Sequence, residues 1–314
     1  MTLNPPRVVE SALDVIGNTP LIKLNRLVPE GSADVYVKLE SFNPTGSKKD
    51  RMALAMIEGA EKRGELRPGM SVVEYSGGST GAALALVCAV KGYHFHIISA
   101  DCFGKEKLGT MTAFGAELEV QKTPEGKITG DVIKAIIARA AELAENENYF
   151  FTDQINNDDI IEGFRTLGEE IIEQIDGPVH AFCDSVGTGG SICGVQAAMR
   201  DAGQDTRIVA LEPASSAVLT TGEGGSHSVE GIALGFVPTH LADEPYDEVR
   251  TIDESVARET ALRLAREEGI FAGTSSGMNV AGALEVAAEL GPGHTVVAIA
   301  VDSGLKYLSE GLYD

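Results

Sequence analysis

The sequence predicts an α/β protein of two open, twisted sheets, each wrapped by helices, and three observations carry that expectation. From residue 71 onward, short β-rich runs alternate with longer runs of helical period, the pattern of parallel strands joined by crossover helices. A chain of 314 residues, 43% hydrophobic and 23% charged, can bury two such layers. Glycine- and hydroxyl-rich turns follow predicted strands or open helices, at the edge where open α/β sheets bind ligands.

Taken in order, Val35-Tyr36-Val37-Lys38-Leu39 alternates with period two and reads as a strand. Pro44 and Gly46 then bend the chain, and the helical pattern Met52, Leu54, Ala55, Ile57 follows. Ser47 is placed to cap that helix, with Asp50 as the acidic partner of a capping box. Strands are expected at 71–75, 94–100 and 116–121, and helices at 80–91, 105–114 and 128–145. After Phe150-Phe151 come a helix at 159–175, a strand at 179–183, a helix at 189–201 and a strand at 207–212. Helices at 254–268 and 277–290 and a strand at 295–301 complete the pattern. Residues 221–248 break the rhythm with Gly222, Gly224, Gly225 and Gly231, a long loop of the kind that lines a site.

Composition excludes several functions. With 47 acidic against 25 basic residues the formal charge is −22, and no basic stripe offers itself to nucleic acid. Cys88, Cys102, Cys183 and Cys193 have no CxxC spacing, and three of them lie in apolar runs as buried thiols would. His94 and His96 alternate along a strand-like run and fit a strand face better than a metal site, so no metal is expected. No segment reaches transmembrane length and no basic-then-apolar leader opens the chain, which leads us to expect a cytoplasmic protein without a membrane partner.

Four stretches carry chemistry. In Asn43-Pro44-Thr45-Gly46-Ser47-Lys48-Lys49-Asp50-Arg51 a lysine falls in the first turn of a helix. The positive helix end lowers the amine's affinity for a proton, as a Schiff-base lysine requires. In Ser185-Val186-Gly187-Thr188-Gly189-Gly190-Ser191, backbone N–H groups at a helix start form an anion cradle to which Thr188 and Ser191 add hydroxyls. Ile192 stands where a dinucleotide fingerprint needs glycine, and no lysine completes a Walker motif, so a single phosphate is the fitting ligand. Glu74-Tyr75-Ser76-Gly77-Gly78-Ser79-Thr80-Gly81 could hold a carboxylate through its N–H groups and the hydroxyls of Ser76, Ser79 and Thr80. Gly273-Thr274-Ser275-Ser276-Gly277, placed before a helix, offers a neutral hydroxyl able to bond a ring nitrogen.

A Schiff-base lysine, a monophosphate cradle and a hydroxyl for a pyridine nitrogen are the parts of a pyridoxal phosphate site. Their order resembles the cysteine synthase/cystathionine β-synthase family, of the tryptophan-synthase-like fold type. The resemblance runs from Ile16-Gly17-Asn18-Thr19-Pro20-Leu21 through the stretches above to Glu212-Pro213, 231–238 and Asp302-Ser303-Gly304-Leu305-Lys306-Tyr307-Leu308. It implies pyridoxal 5′-phosphate in an interdomain cleft. Residues 1–44 and 156–314 would form the larger domain with the phosphate loop, and 45–155 the smaller one with the lysine and substrate loop.

Residue by residue, the resemblance implies Lys49, directly before Asp50-Arg51, as Schiff-base lysine and catalytic base, with Lys48 at a variable position. Gly187, Thr188, Gly189, Gly190 and Ser191 would hold the phosphate, and Ser275, ahead of Ser276, would face the pyridine nitrogen. Ser76, Gly77, Gly78, Thr80, Gln154 and Gly231 would serve the substrate. Ser79 stands where the family carries an asparagine that bonds the cofactor's phenolic oxygen, and Gly77 where it carries a serine. Gly77 and Gly78 should leave room for a nucleophile larger than sulfide, such as thiosulfate or an organic thiol.

The implied activity is β-replacement on O-acetylserine with sulfide, giving cysteine and acetate. O-phosphoserine is less favoured because no arginine lies between Arg207 and Arg250. The rivals are a β-eliminating lyase or deaminase, a cystathionine β-synthase-like enzyme, and a partner-binding paralogue with residual catalysis. A homodimer and a serine acetyltransferase-type partner are implied as well.

Overall fold

The computed structural model describes residues 8–123 and 130–313. A six-stranded sheet has the order β1-β2-β10-β7-β8-β9, with β1 Leu21–Lys23, β2 Asp34–Leu39, β7 Ala181–Ser185, β8 Arg207–Pro213, β9 Glu248–Ile252 and β10 Thr295–Ala300. Only the β1–β2 pair is antiparallel. A second, wholly parallel sheet has the order β5-β4-β3-β6, from β3 Ser71–Tyr75, β4 His94–Ala100, β5 Glu117–Gln121 and β6 Tyr149–Phe151. Central strands such as β7 are buried along their whole length, which is why they read as apolar runs without alternation.

Helices α1 Lys49–Arg63, α2 Ser79–Lys91, α3 Lys105–Ala113 and α4 Gly130–Ala144 belong to the first half of the chain. The second half adds α5 Asp159–Gln174, α6 Gly190–Asp201, the short α7 Val218–Thr221, α8 Glu254–Arg263 and α9 Thr274–Leu290. Helix α5 packs on both α1 and α6, so Met52, Met56, Phe164, Leu167 and Val195 join Val72 and Phe182 in one core reaching both sheets. A second core lies between α9 and the larger sheet, around Val35, Leu211, Met278 and Val296.

Several expected boundaries move, each for a local reason. The strand expected at 179–183 lies at Ala181–Ser185, because its pairing with β8 continues through Asp184↔Ala210 and Ser185↔Leu211. The last helix begins at Thr274, so Ser275 and Ser276 occupy its first turn instead of a preceding loop. Gly277 is a packing glycine there: a Cβ would meet the Ala257 carbonyl of α8 at 2.0 Å. The helix expected at 254–268 ends as α8 at Arg263 and continues as a wider π turn, Leu264–Glu268. Residues 128 and 129, the expected start of α4, lie outside the described residues.

The capping box at Ser47 does not form. Lys48 is the N-cap residue of α1, and the Asp50 carboxylate turns back to the N–H and hydroxyl of Thr45. His94 and His96 face Glu117 and Glu119 on β5, at 3.1 and 3.4 Å. Among the described residues no cluster of His, Cys, Asp and Glu could hold a metal, and no helix is long and apolar enough to cross a membrane.

Candidate active site

The start of α1 is tied to the end of β10: the Lys48 N–H donates to the Val301 carbonyl at 2.9 Å, and Ser47 bridges to Asp302. Lys49 is therefore held where the two sheets meet. Its amine makes no hydrogen bond or ion pair among the described residues. Burial first, and then the charge of Lys48, lower it to about 8, against the opposing pull of Asp302 and Asp184. A lysine at that value keeps a neutral, nucleophilic fraction of about a tenth at pH 7, roughly a hundredfold more than an ordinary lysine. Pyridoxal phosphate offered to the cofactor-free protein should be captured faster as pH rises towards about 8 and at a constant rate above it. Stopped-flow absorbance would show this, and a rate flat from pH 6 to 9 would contradict it.

Lys48, which the resemblance leaves at a variable position, is buried and paired. It is 4% exposed, with Nζ 2.6 Å from Asp184 Oδ2 and 3.0 Å from Ser191 Oγ. Ser191 in turn donates to Asp184 Oδ2 at 2.5 Å, so in this arrangement its proton is turned away from the cradle. Asp184 in an otherwise apolar strand was the available signal, since a buried carboxylate needs a partner.

The glycines of 187–190 are explained first by packing. A Cβ would meet the Gly231 carbonyl at 2.6 Å from Gly187, Leu241 at 2.8 Å from Gly189, and Ile160 at 2.6 Å from Gly190. Gly189 also has φ +85°, so any substitution there would strain the fold as well as the cradle. The same contact brings Gly231 and the 221–248 loop against the 185–191 turn, where Ala233 N–H donates to the Val186 carbonyl at 2.8 Å. Thr188 is half-buried, and its hydroxyl makes no hydrogen bond among the described residues.

Residues 76–78 form the turn that leads into α2, whose first turn holds Ser79 and Thr80, and Ser76 Oγ accepts from the N–H groups of Gly78 and Gly81 at 3.1 and 3.3 Å. Gln154 stands beside it, its Nε2 donating to the Tyr75 carbonyl at 3.1 Å. Buried Glu74 accepts from the Gln154 N–H at 3.1 Å and from the Thr152 hydroxyl at 2.6 Å. Burial raises that carboxyl to about 7 despite these bonds. Thr80 is buried in the first turn of α2, and its hydroxyl makes no hydrogen bond among the described residues.

The expectation that Gly77 leaves room is overturned. A Cβ on Gly77 would lie 2.0–2.2 Å from ring atoms of Phe103, so the phenyl ring already fills the space. Gly77→Ser alone should lower kcat/KM about tenfold or more, the scale of overpacking, and Gly77→Ser with Phe103→Ala should recover most of the loss. Equal kcat/KM for Gly77→Ser and the natural protein would show that the ring yields freely.

Ser79 donates to Asp302 Oδ2 at 3.2 Å and accepts from Lys306 Nζ at 3.2 Å. Tyr307 also donates to Asp302 Oδ2, at 2.9 Å, while Asp302 Oδ1 is buried without a partner. The Gly273 N–H donates to the Asp302 carbonyl at 3.3 Å, which brings the start of α9 to the same place. Ser275 is 3% exposed, and its hydroxyl makes no hydrogen bond among the described residues. Ser276 is fully buried, and its Oγ is turned to the backbone, accepting from the Val301 N–H at 2.9 Å. Lys49, Ser79, Asp302, Lys306 and Ser275 thus collect at one end of the two sheets. A cavity of about 890 Å³ between α1 and α5 is lined by none of the expected site residues.

A sequence profile described as "Pyridoxal-phosphate dependent enzyme" matches residues 12–302. The chain belongs to that family. It is 42% identical over 307 residues to a cysteine synthase of Staphylococcus aureus, covering 97% of each chain. It is 40% identical over 306 residues to the O-ureido-L-serine synthase of Streptomyces lavendulae, covering 97% of this chain and 92% of the relative. The crystal structure of a cysteine synthase from Entamoeba histolytica superposes with a TM-score of 0.90 at 33% identity, over 100% of this chain and 93% of that one. This pyridoxal-phosphate-dependent enzyme has a donor set suited to its cofactor: an unpartnered lysine amine, a free near-buried hydroxyl at Ser275, and a helix start at Gly190 without side-chain bulk before it.

Proposed function

We propose that the protein catalyses β-replacement on an O-activated L-serine, with O-acetylserine and sulfide as the reacting pair and L-cysteine and acetate as products. The observation that carries this reading is the 42% identity to a cysteine synthase over 97% of both chains. The unpaired Lys49 amine supports it. Lys49 would hold the cofactor covalently, and Gly187, Thr188, Gly189, Gly190 and Ser191 would receive its phosphate at the positive end of α6. Ser79, backed by Lys306, would meet the phenolic oxygen. Bound pyridoxal phosphate supplies an electron sink for negative charge at the substrate Cα.

The protein's own work is then positional and acid–base. The N–H groups and hydroxyls of 76–80, with Gln154 and Gly231 alongside, would orient the substrate carboxylate. The freed Lys49 amine takes the Cα proton as general base. Acetate leaves Cβ and sulfur takes its place. Ser275 would bond the ring nitrogen through a neutral hydroxyl, which holds a proton there less firmly than a carboxylate would. That weaker sink favours prompt loss of the β-substituent over longer-lived chemistry at Cα.

Within this reading residues 45–155 form the smaller domain, and residues 1–44 with 156–314 the larger. The homodimer, the serine acetyltransferase-type partner and the cytoplasmic location belong to the same proposal, and light scattering of the purified protein tests the first of them. The decisive assay offers O-acetylserine and O-phosphoserine with sulfide, thiosulfate, an organic thiol or an oxygen nucleophile. Highest kcat/KM with O-acetylserine and sulfide is expected. Pyruvate and ammonia released at the same rate with no nucleophile present would identify an eliminating lyase instead.

A further inference from the structure

The buried ion pair beneath the phosphate loop has chemical consequences beyond packing. Asp184 is fully buried, and its carboxylate is saturated: Oδ2 takes Lys48 Nζ at 2.6 Å and Ser191 Oγ at 2.5 Å, while Oδ1 takes Asn279 Nδ2 at 2.7 Å. Asn279 Oδ1 accepts the Ser185 N–H at 2.7 Å. Four segments meet here: the N-cap of α1 beside Lys49, the end of β7, the first turn of α6, and α9, which carries Ser275 one turn earlier. The Lys48 ammonium also lies 5.8 Å from the Phe164 ring centroid, so it is enclosed on its apolar side.

A carboxylate at this point is an odd neighbour for an anion site. Asp184 lies three residues before Gly187 and is hydrogen-bonded to Ser191, both in the loop assigned to the phosphate. Uncompensated, its charge would repel a phosphate dianion through a medium of low dielectric. Lys48 supplies the compensation, and it holds Ser191 by a second contact.

We propose that Lys48 and Asp184 are a coupled pair that sets the affinity of this protein for the phosphate of its cofactor, with Lys48 as the positioning residue and Asp184 as the restraint that keeps the ammonium off the phosphate. The proposal rests on the reading that the 187–191 loop receives that phosphate. The two members act with opposite sign. Removing Lys48 leaves a bare carboxylate beneath the loop. Removing the Asp184 charge frees a buried ammonium, which then reaches the loop unopposed. A pair that served only to hold the fold together would weaken binding whichever member was lost.

The test measures dissociation constants of pyridoxal phosphate and of pyridoxal, which lacks the phosphate, by equilibrium dialysis against the natural protein and four variants. The expected result is that Lys48→Met weakens pyridoxal phosphate binding ~30-fold or more, the scale for stripping a buried charge of its partner. Asp184→Asn should tighten it severalfold, and Lys48→Met with Asp184→Asn should return to near the natural value. The preference for pyridoxal phosphate over pyridoxal should move with these changes, because any effect through the Lys49 amine falls on both ligands alike. Should Lys48→Met fail to fold, Asp184→Asn and the double variant still decide the sign. Thr188→Val reports on the loop itself. If it erodes the preference for pyridoxal phosphate over pyridoxal while the Lys48 and Asp184 changes do not, the coupling is refuted and the loop stands. If none of the variants alters that preference, the loop assignment falls with the coupling. Weakening by Asp184→Asn to the same degree as by Lys48→Met would also refute it.

Discussion

Lys49→Ala should lower turnover by at least ~1000-fold, the loss typical of removing a central catalytic group, while pyridoxal phosphate still binds. The structure makes this substitution unusually clean. The Lys49 amine has no partner among the described residues, so its removal leaves no buried carboxylate unpaired and folding should survive. Lys48 is poorly placed to substitute, because its Nζ is already 2.6 Å from Asp184 and 3.0 Å from Ser191. The natural protein should be yellow, and borohydride should bleach it and mark a peptide at Lys49. The variant should bind the cofactor without that mark. A label at Lys48, or activity surviving in Lys49→Ala, would sink the assignment.

What the sequence made legible was local. Alternation of β-rich and helical runs disclosed the parallel layers because buried parallel strands and amphipathic helices each write their period directly into the chain. The lysine at a helix start and the glycine turns were visible for the same reason. What stayed hidden depended on pairs distant in sequence. Lys48 reads as a variable position beside Lys49 until Asp184, 136 residues away, is placed against it. Gly77 reads as empty space until the Phe103 ring is placed over it. Asp50 satisfies the spacing of a capping box, yet bonding to Thr45 serves it better, and only the path of the bend at Pro44–Gly46 decides between them.

The same limit applies to Arg51, whose sequence position beside Lys49 conceals a structural role of its own. Arg51→Met should cost about 3–5 kcal/mol of stability, the scale for leaving buried charges unpaired. The side chain is 2% exposed. Its Nε and Nη2 donate to Glu40 at 2.8 and 2.9 Å, and Nη1 and Nη2 to Glu170 at 2.7 and 2.8 Å. One guanidinium thus serves two carboxylates in fork geometry, which an ammonium cannot reproduce, so Arg51→Lys should recover only part of the loss. Lys38, fully buried and 2.7 Å from Glu170, would remain beside that carboxylate, while Glu40 would lose its ion pair. Burial alone would raise the Glu170 carboxyl, but the hydrogen bonds and charge of Arg51, with Lys38 behind it, hold it down at about 2. A depressed carboxyl contributes stability that is present above its unfolded value and lost as pH falls through its folded one. The natural protein should therefore keep most of this contribution at pH 4, just below the ordinary glutamate value, and lose the rest as pH falls towards about 2. In Arg51→Met, Glu170 loses the group that held it down, so acidification should protonate it earlier and narrow the gap between the two proteins. Urea unfolding of the holoenzymes at pH 7 and pH 4 measures both effects. A loss below ~1 kcal/mol at pH 7 would place these contacts among near-neutral surface pairs, and the start of α1 would then owe its position to packing against α5 alone.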